Sequence, residues 1–216
     1  FDVNPLPEAT ATGTDATCGF FNGEITLSIT DDPTREFVEI SLNGGVSYQS
    51  PIADNIGTFT YDGLAPGTYD VRIRWSDGDC PQDVGIVQVS NIVCGSISGK
   101  VIEDTNVPIA NVAIQLFGDA NTDGVADGPA LRTTLTDGDS GDFIFEDVLP
   151  GNYVLVETQP TNYSSVSDYD HSTGAADPDG LDTIPVLADN DIPVVLESGE
   201  EDEDNIFTED PDTLNY

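Results

Sequence analysis

The sequence predicts an all-β protein built as two β-sandwiches in tandem. Three observations carry this. Apolar residues recur with period two in short runs, as in "GEITLSIT", where Ile25, Leu27 and Ile29 share one face. Clusters of Gly, Pro, Asn and Asp separate the runs, and no amphipathic helical stretch interrupts them. A short element, "GLAPGTYDVRI" in one half and "DVLPGNYVLVE" in the other, is a small internal repeat.

In the first half, "FVEISLNGGVSY" places Val38, Ile40 and Leu42 on one face and then offers a hairpin turn at Asn43 to Gly45. "GTFTYDG" and "DVGIVQVSNIV" read as further strands. "TYDVRIRWS" turns Tyr69, Val71, Ile73 and Trp75 inward, with Asp70, Arg72, Arg74 and Ser76 outward. In the second half the strands are "GSISGKVIED", "NVAIQLF", "LRTTLTD", "GDFIFEDV", "GNYVLVETQ", "DTIPVLAD", "DIPVVLESG" and "DNIFTED". The repeated element has a mechanism. Pro-Gly makes a tight turn into a strand, and the Tyr that follows (Tyr69, Tyr153) folds its hydroxyl back on the connection. That is the tyrosine corner of Ig-like, Greek-key sandwiches; the alternative is an ordinary turn with a core tyrosine. The expected organisation is an extension at 1–16, sandwiches at 17–93 and 94–208, and a tail at 209–216.

Charge narrows the function classes. The chain has 41 acidic residues against 5 Lys plus Arg, a formal charge of −36. Phosphate binding needs clustered Lys and Arg, so nucleic acid is excluded as an expected partner. Anionic membrane surfaces are disfavoured for the same reason. No run approaches the roughly 20 apolar residues of a membrane span, so no membrane insertion is expected. No secretory signal precedes Phe1, so a mature form or fragment is expected. The charge is uneven: 14 acids and 3 bases precede residue 94, and 27 acids and 2 bases follow. Self-repulsion of this size destabilises a compact state, which makes bound cations the natural counterweight in the second half.

The second half resembles the B-type repeats of serine–aspartate repeat surface adhesins, within the wider Cna-B-like and carboxypeptidase-regulatory-like sandwiches. The matching pieces are "GSISGKVIEDTNVPIANVAIQLF", the Asp-rich loop from Asp119, "TDGDSGDFIFEDVLPGNYVLVETQP" and the stretch from "SDYDHSTG" to "DEDNIF". This resemblance implies a calcium-binding stalk module on a cell surface. The first half resembles the SprB-type repeats of gliding-motility adhesins, through "CGFFNGEITLSI" and "GLAPGTYDVRIRWSDGDC", and departs from them in the middle. It implies an adhesin or fibre module exported by a Bacteroidetes-like organism.

The calcium expectation also stands on spacing. In "FGDANTDGVADGPA", Asp119, Asn121, Asp123 and Asp127 alternate around Gly124, with the Val125 carbonyl available. Calcium takes six to eight oxygens and uses this alternation with a Gly at the sharp turn. The EF-hand position for a bidentate Glu is Ala130, so the missing acid must come from elsewhere: Asp104, or Asp137, Asp139 or Asp142. A second candidate holds Asp168, Asp170, Asp177, Asp179 and Asp182 in one long Gly- and Pro-containing connection. In both cases the bland alternative is a solvated acidic loop. The run "GEEDED" at 199–204 reads as a solvated edge.

No enzyme is expected. Acids are too abundant for any carboxylate pair to be informative. His171 is the single histidine, and no nucleophile motif accompanies it. Zinc would need more His or Cys. Lys100 is the sole lysine, and it reads as a surface residue rather than half of an isopeptide bond to Asn205. Cys18 opens the first predicted strand and Cys80 follows the penultimate one, at the same end of a sandwich. Cys94 comes one strand later, about 33 Å away by strand rise. Disulfide-linked Cα atoms lie within about 7 Å, so a Cys18–Cys80 bridge is expected, in an oxidising compartment.

The expected function is a structural or adhesive module of an extracellular, calcium-stabilised fibre, with neighbouring copies or tandem modules as partners. "VSNIVCGSISG" joins the halves with almost no linker, and the apolar ends at Phe1, Val3 and "NIFTED" offer strands for addition to a neighbour. The competing reading is an accessory domain pair of a secreted enzyme that grips carbohydrate or protein. Tyr48, Tyr163 and Tyr169 would be its aromatic platform.

Overall fold

The structure is a computed structural model that describes residues 8–29, 38–49, 57–76, 80–169 and 189–212. Every regular element among them is a β-strand. The chain divides into two compact units between Ile92 and Val93.

The first unit contains β1 (Ala9–Thr14), β2 (Ala16–Thr17), β3 (Gly23–Ile29), β4 (Val38–Ser41), β5 (Gly57–Leu64), β6 (Gly67–Trp75), β7 (Gln82–Val89) and β8 (Asn91–Ile92). One sheet has the order β1-β3-β5 and the other β4-β6-β7, while β2 and β8 form a short parallel pair. The period-two pattern sets which residues face inward. Ile25, Leu27 and Ile29 from β3 meet Val38 and Ile40 from β4 and Val71, Ile73 and Trp75 from β6 in one core. The outward residues of β6 find polar partners on the opposite face. Arg74 pairs with Glu39 at 2.7 Å, and Arg72 with Asp70 at 3.2 Å.

The β2–β8 pair corrects the expected disulfide. Cys18 does not open the first strand, because β1 precedes it. Instead β2 runs alongside β8, and the Cys18 N–H donates to the Ile92 carbonyl at 2.9 Å. Cys18 and Cys94 are the disulfide-bonded cysteines, and Cys80 is free and exposed. The elimination of Cys94 failed because a parallel return strand of two residues is too short to register as a periodic pattern.

The second unit contains β9 (Gly95–Glu103), β10 (Ala113–Gly118), β11 (Asp127–Leu135), β12 (Asp142–Val148), β13 (Gly151–Glu157), β14 (Tyr163–Tyr169), β15 (Asp191–Leu196) and β16 (Glu201–Pro211). Two four-stranded sheets, β11-β10-β13-β15 and β12-β9-β16-β14, enclose a core of Ile97, Val101, Ile114, Leu116, Phe143, Phe145, Leu155, Ile192 and Phe207, among others. Phe143 and Phe207 pack with ring centroids 6.2 Å apart. β9 and β16 pair in parallel and approach closely at Gly99, where a Cβ would stand 2.0 Å from the Asn205 carbonyl oxygen. No side chain larger than hydrogen fits there.

Both tyrosine corners form. Tyr69 donates its hydroxyl to the Ala65 carbonyl at 2.7 Å, and Tyr153 donates to the Leu149 carbonyl at 2.6 Å. β14 is an addition, since "YSSVSDY" lacks an apolar alternation. The predicted strand "DTIPVLAD", apart from Asp189, lies outside the described residues, as do residues 1–7. The rest of the expected extension at 1–16 is not a linker, because β1 pairs antiparallel with β3, and β16 carries the second sandwich past 208 to Pro211.

Candidate metal centres of the second sandwich

The Asp119–Asp127 stretch is the hairpin loop between β10 and β11, strands that pair antiparallel with Ala113 opposite Leu135. Asp119 is buried, with 6% exposure, and its N–H donates to the Asn152 carbonyl at 2.9 Å. Its carboxylate accepts the N–H groups of Asp123 at 3.2 Å and Gly124 at 2.9 Å. Asp123 accepts from the Val125 N–H at 3.0 Å and from the Asn121 amide at 3.0 Å. Asp127 accepts from the Ala120 N–H at 2.9 Å. Gly124 has φ +76°, the left-handed conformation that glycine adopts freely. The spacing seen in the sequence thus folds into one compact loop. The donor set is all oxygen, which fits a hard cation, and each carboxylate oxygen that accepts one N–H retains a second lone pair.

The expected supplementary ligands lie elsewhere. The Asp137–Asp142 turn follows β11, so it sits beside the start of β10, as the Thr136 N–H bond to the Val112 carbonyl shows. The Asp119–Asp127 loop leaves the other end of that strand. Asp139 therefore does not complete the loop, and neither do Asp137 and Asp142. Asp137 is occupied in its own turn, where N–H groups of Ser140 and Asp139 hold its carboxyl below the usual carboxylate range. Asp104 donates its N–H to the Glu209 carbonyl at 2.9 Å, and it too lies away from the loop.

Of the second predicted set, Asp170, Asp177, Asp179 and Asp182 lie outside the described residues, together with His171. Asp168 is described, and it does not point into a solvated loop. A register shift between Ser165 and Ser167 turns it into the sandwich, fully buried. There it meets two acids that the sequence reading passed over. Glu157, at the end of β13, is 3% exposed, and Glu209, in β16, is fully buried.

Their surroundings are polar but one-sided. One Asp168 oxygen accepts the N–H groups of Asp189 at 3.1 Å and Asn190 at 2.8 Å. Gln159 donates its amide to Glu209 and to the Tyr163 carbonyl. The Asn190 amide donates to Gln159 at 3.2 Å. Tyr163 donates to Glu103 at 3.0 Å. Burial pushes the Glu157 carboxyl up to about 9, with the neighbouring Glu209 adding to the shift, and burial pushes Asp168 up to about 6. Glu209 is raised by the same cause. The missed signal was present in the alternation. Tyr153, Leu155 and Glu157 share one face of β13, and Asn205, Phe207 and Glu209 share one face of β16, so an inward-facing series ends on an acid in each.

Other expected features resolve simply. Lys100 pairs with Ile206 on the outer side of β9, while Asn205 is buried on the inner side, so the two do not face each other. In "GEEDED", Asp202 is buried and accepts from the Asn205 amide, whereas Glu201, Glu203 and Asp204 are exposed. Arg74 covers the Tyr48 ring at 3.9 Å, and Tyr163 packs against the core, so neither offers a bare aromatic face. Among the described residues, no three His, Cys, Asp or Glu side chains stand close enough together to hold a metal ion as they are placed. No described helix is long and apolar enough to cross a membrane.

No protein-family model matches the chain. The serine-aspartate repeat-containing protein D of Staphylococcus aureus strain Newman is 26% identical over 189 residues, covering 75% of this chain, and the strain MW2 protein matches equally. The chain corresponds to 14% of the length of those relatives. Among solved structures, the major pilin subunit BcpA of Bacillus cereus is 11% identical with a TM-score of 0.41, over 95% of this chain and 70% of that one. The 35 kDa C-terminal fragment of the major pilin GBS80 of Streptococcus agalactiae is 11% identical with a TM-score of 0.40, over 94% of this chain and 99% of that one. Superpositions this loose carry no argument, and the fold rests on the strand pairing. The chain is an all-β tandem of sandwiches with sequence similarity to a staphylococcal serine–aspartate repeat protein.

Proposed function

We propose that this chain is a structural module of an extracellular surface fibre or adhesin stalk, and that calcium held at Asp119, Asn121, Asp123, Asp127 and the Val125 carbonyl stabilises it. The observation that carries the module reading is the alignment to serine-aspartate repeat-containing protein D. It covers 75% of this chain, more than either sandwich holds alone. The tandem arrangement supports it, with only Val93 and Cys94 between β8 and β9. The disulfide-bonded Cys18 and Cys94 suit an oxidising, extracellular compartment. The calcium part is supported by the oxygen-only loop and by the charge of −36 that the fold must carry. Partners are neighbouring copies or further tandem modules.

Immunogold electron microscopy of intact source cells, with antibody raised against this chain, tests the module reading. Label along surface filaments or at a defined distance from the cell envelope is expected. Label confined to the cytoplasm, with none outside, would overturn it.

A further inference from the structure

We propose that Glu157, Asp168, Asn190 and Glu209 form a buried calcium site inside the second sandwich, separate from the Asp119–Asp127 loop. The three acids come from three strands on two facing sheets, and each is at most 3% exposed. Both Glu157 oxygens, one oxygen of Asp168, one of Glu209 and the Asn190 side-chain oxygen are buried with no hydrogen-bond donor. Buried polar atoms in folded proteins are partnered almost without exception, so five orphan acceptors in one place require a cause.

The donors nearby are already used, and their use aims the orphans. N–H groups of Asp189 and Asn190 hold one Asp168 oxygen and leave the other free. Gln159 takes one Glu209 oxygen through its amide and accepts the Asn190 amide through its own oxygen. That fixes Asn190 with its oxygen unpartnered. Among the described residues of the second unit, no arginine or lysine answers the charge. Beyond residue 94 the chain has Lys100 and Arg132. Lys100 pairs with Ile206 on the outer face of β9, and Arg132 donates to the Glu146 carbonyl and sits over Phe145.

Two agents can relieve such a cluster. A proton shared between Glu157 and Glu209 would satisfy those two groups, yet it leaves the Asp168 and Asn190 oxygens unanswered, and a neutral amide oxygen does not take up a proton. A cation answers all of them together. The donors are oxygen alone, which disfavours zinc. Two glutamates able to bind in bidentate fashion, with one oxygen each from an Asp and an Asn, make an irregular set. Calcium tolerates that geometry, whereas magnesium demands a near-ideal octahedron and retains its waters. As placed, the three carboxylates are not close enough to hold an ion among them, so binding requires their side chains to close around it, with the ion offsetting their mutual repulsion.

The site stands independently of the loop reading, and the test separates them. The full chain, stripped of metal with chelator, is titrated with calcium in a calorimeter as wild type, Glu157→Gln and Asp123→Asn. The wild type is expected to bind one more ion than Glu157→Gln, and Asp123→Asn is expected to retain the ion that Glu157→Gln loses. Glu157→Gln binding as many ions as the wild type, with unchanged affinity, would overturn the site, whatever Asp123→Asn does. Crystals of the unsubstituted chain soaked in terbium give a second measurement that needs no variant. An anomalous peak about 2.3–2.6 Å from Glu157 and Glu209 oxygens supports the site. Terbium found only elsewhere overturns it.

Discussion

The two sandwiches share an architecture and differ in how they meet their charge. The first places Arg72 and Arg74 on the outward face of β6 and pairs them with Asp70 and Glu39. Its described core is apolar, with Trp75 and Ile25 among the fully enclosed side chains. The second carries 27 acids and 2 bases from residue 94 onward and buries five of its described carboxylates, those of Asp119, Glu157, Asp168, Asp202 and Glu209. An ionised group in a protein interior is strongly unfavourable unless paired. The first sandwich pairs Arg72 and Arg74 with acids, whereas Lys100 and Arg132 of the second are placed away from Glu157, Asp168 and Glu209. The same repeat element, with the same tyrosine corner, therefore frames two differently charged interiors.

The largest expected effect is that of metal removal. One site at a hundredfold excess over its dissociation constant contributes about 2.7 kcal/mol, so two contribute about twice that. For a unit of this size that corresponds to a fall of roughly 20 °C in the melting temperature of the second sandwich. Trp75 is the sole tryptophan and lies in the first core, so its fluorescence reports the first sandwich alone. Calorimetric melts with and without chelator should move the transition that Trp75 does not follow. If the Trp75 transition moves equally, the contrast between the sandwiches is broken.

Next comes Glu157→Gln measured at saturating calcium, expected to cost about 2.7 kcal/mol through loss of one ion. In chelator the same substitution should stabilise, because an amide replaces a carboxyl that burial already disfavours as an anion. Thermal melts of both proteins in both media check the reversal of sign.

The pH dependence of the metal-free chain sharpens the contrast further. Glu157, pushed up to about 9, Asp168, up to about 6, and Glu209, also raised, face one another across the two sheets, with Asp189, Gln159 and Asn190 beside them. The folded state holds protons that the unfolded chain releases near the ordinary carboxylate value, about 4. Stability is therefore greatest below that value and falls as pH rises through about 6 toward 9. In chelator the second transition should drop over this window while the Trp75 transition does not share the fall. Rising stability of the second sandwich across that window would contradict the buried geometry.

The smallest effect should be the same on both sides. Tyr69→Phe and Tyr153→Phe each remove one hydroxyl bond to a backbone carbonyl, worth about 1 kcal/mol. Melting of each variant should show matching losses, one per sandwich, independent of calcium. A calcium-dependent loss at Tyr153 would mean that the corner and a metal site are linked.

Strands and corners were legible because period-two burial and Pro-Gly-x-Tyr act locally. Asp119 to Asp127 was legible for the same reason, since one loop carries all its oxygens. The partners of that loop were not, because which strand end faces it depends on the β10–β11 hairpin register. Cys94 was misplaced by a two-residue parallel pair, β2 with β8, that leaves no periodic trace. Glu157 and Glu209 were hidden by their own abundance. Among 41 acids, two that complete inward series are visible only when the series, rather than the acid, is followed.

The claim that the second sandwich depends on calcium for charges its own residues do not neutralise is tested most directly by hydrogen–deuterium exchange of the full chain, with calcium and with chelator. Added calcium should slow exchange in the Asp119–Asp127 loop and in β13, β14 and β16, with little change in β3, β4 and β6. Identical exchange in the two media, or slowing confined to the first sandwich, would contradict it.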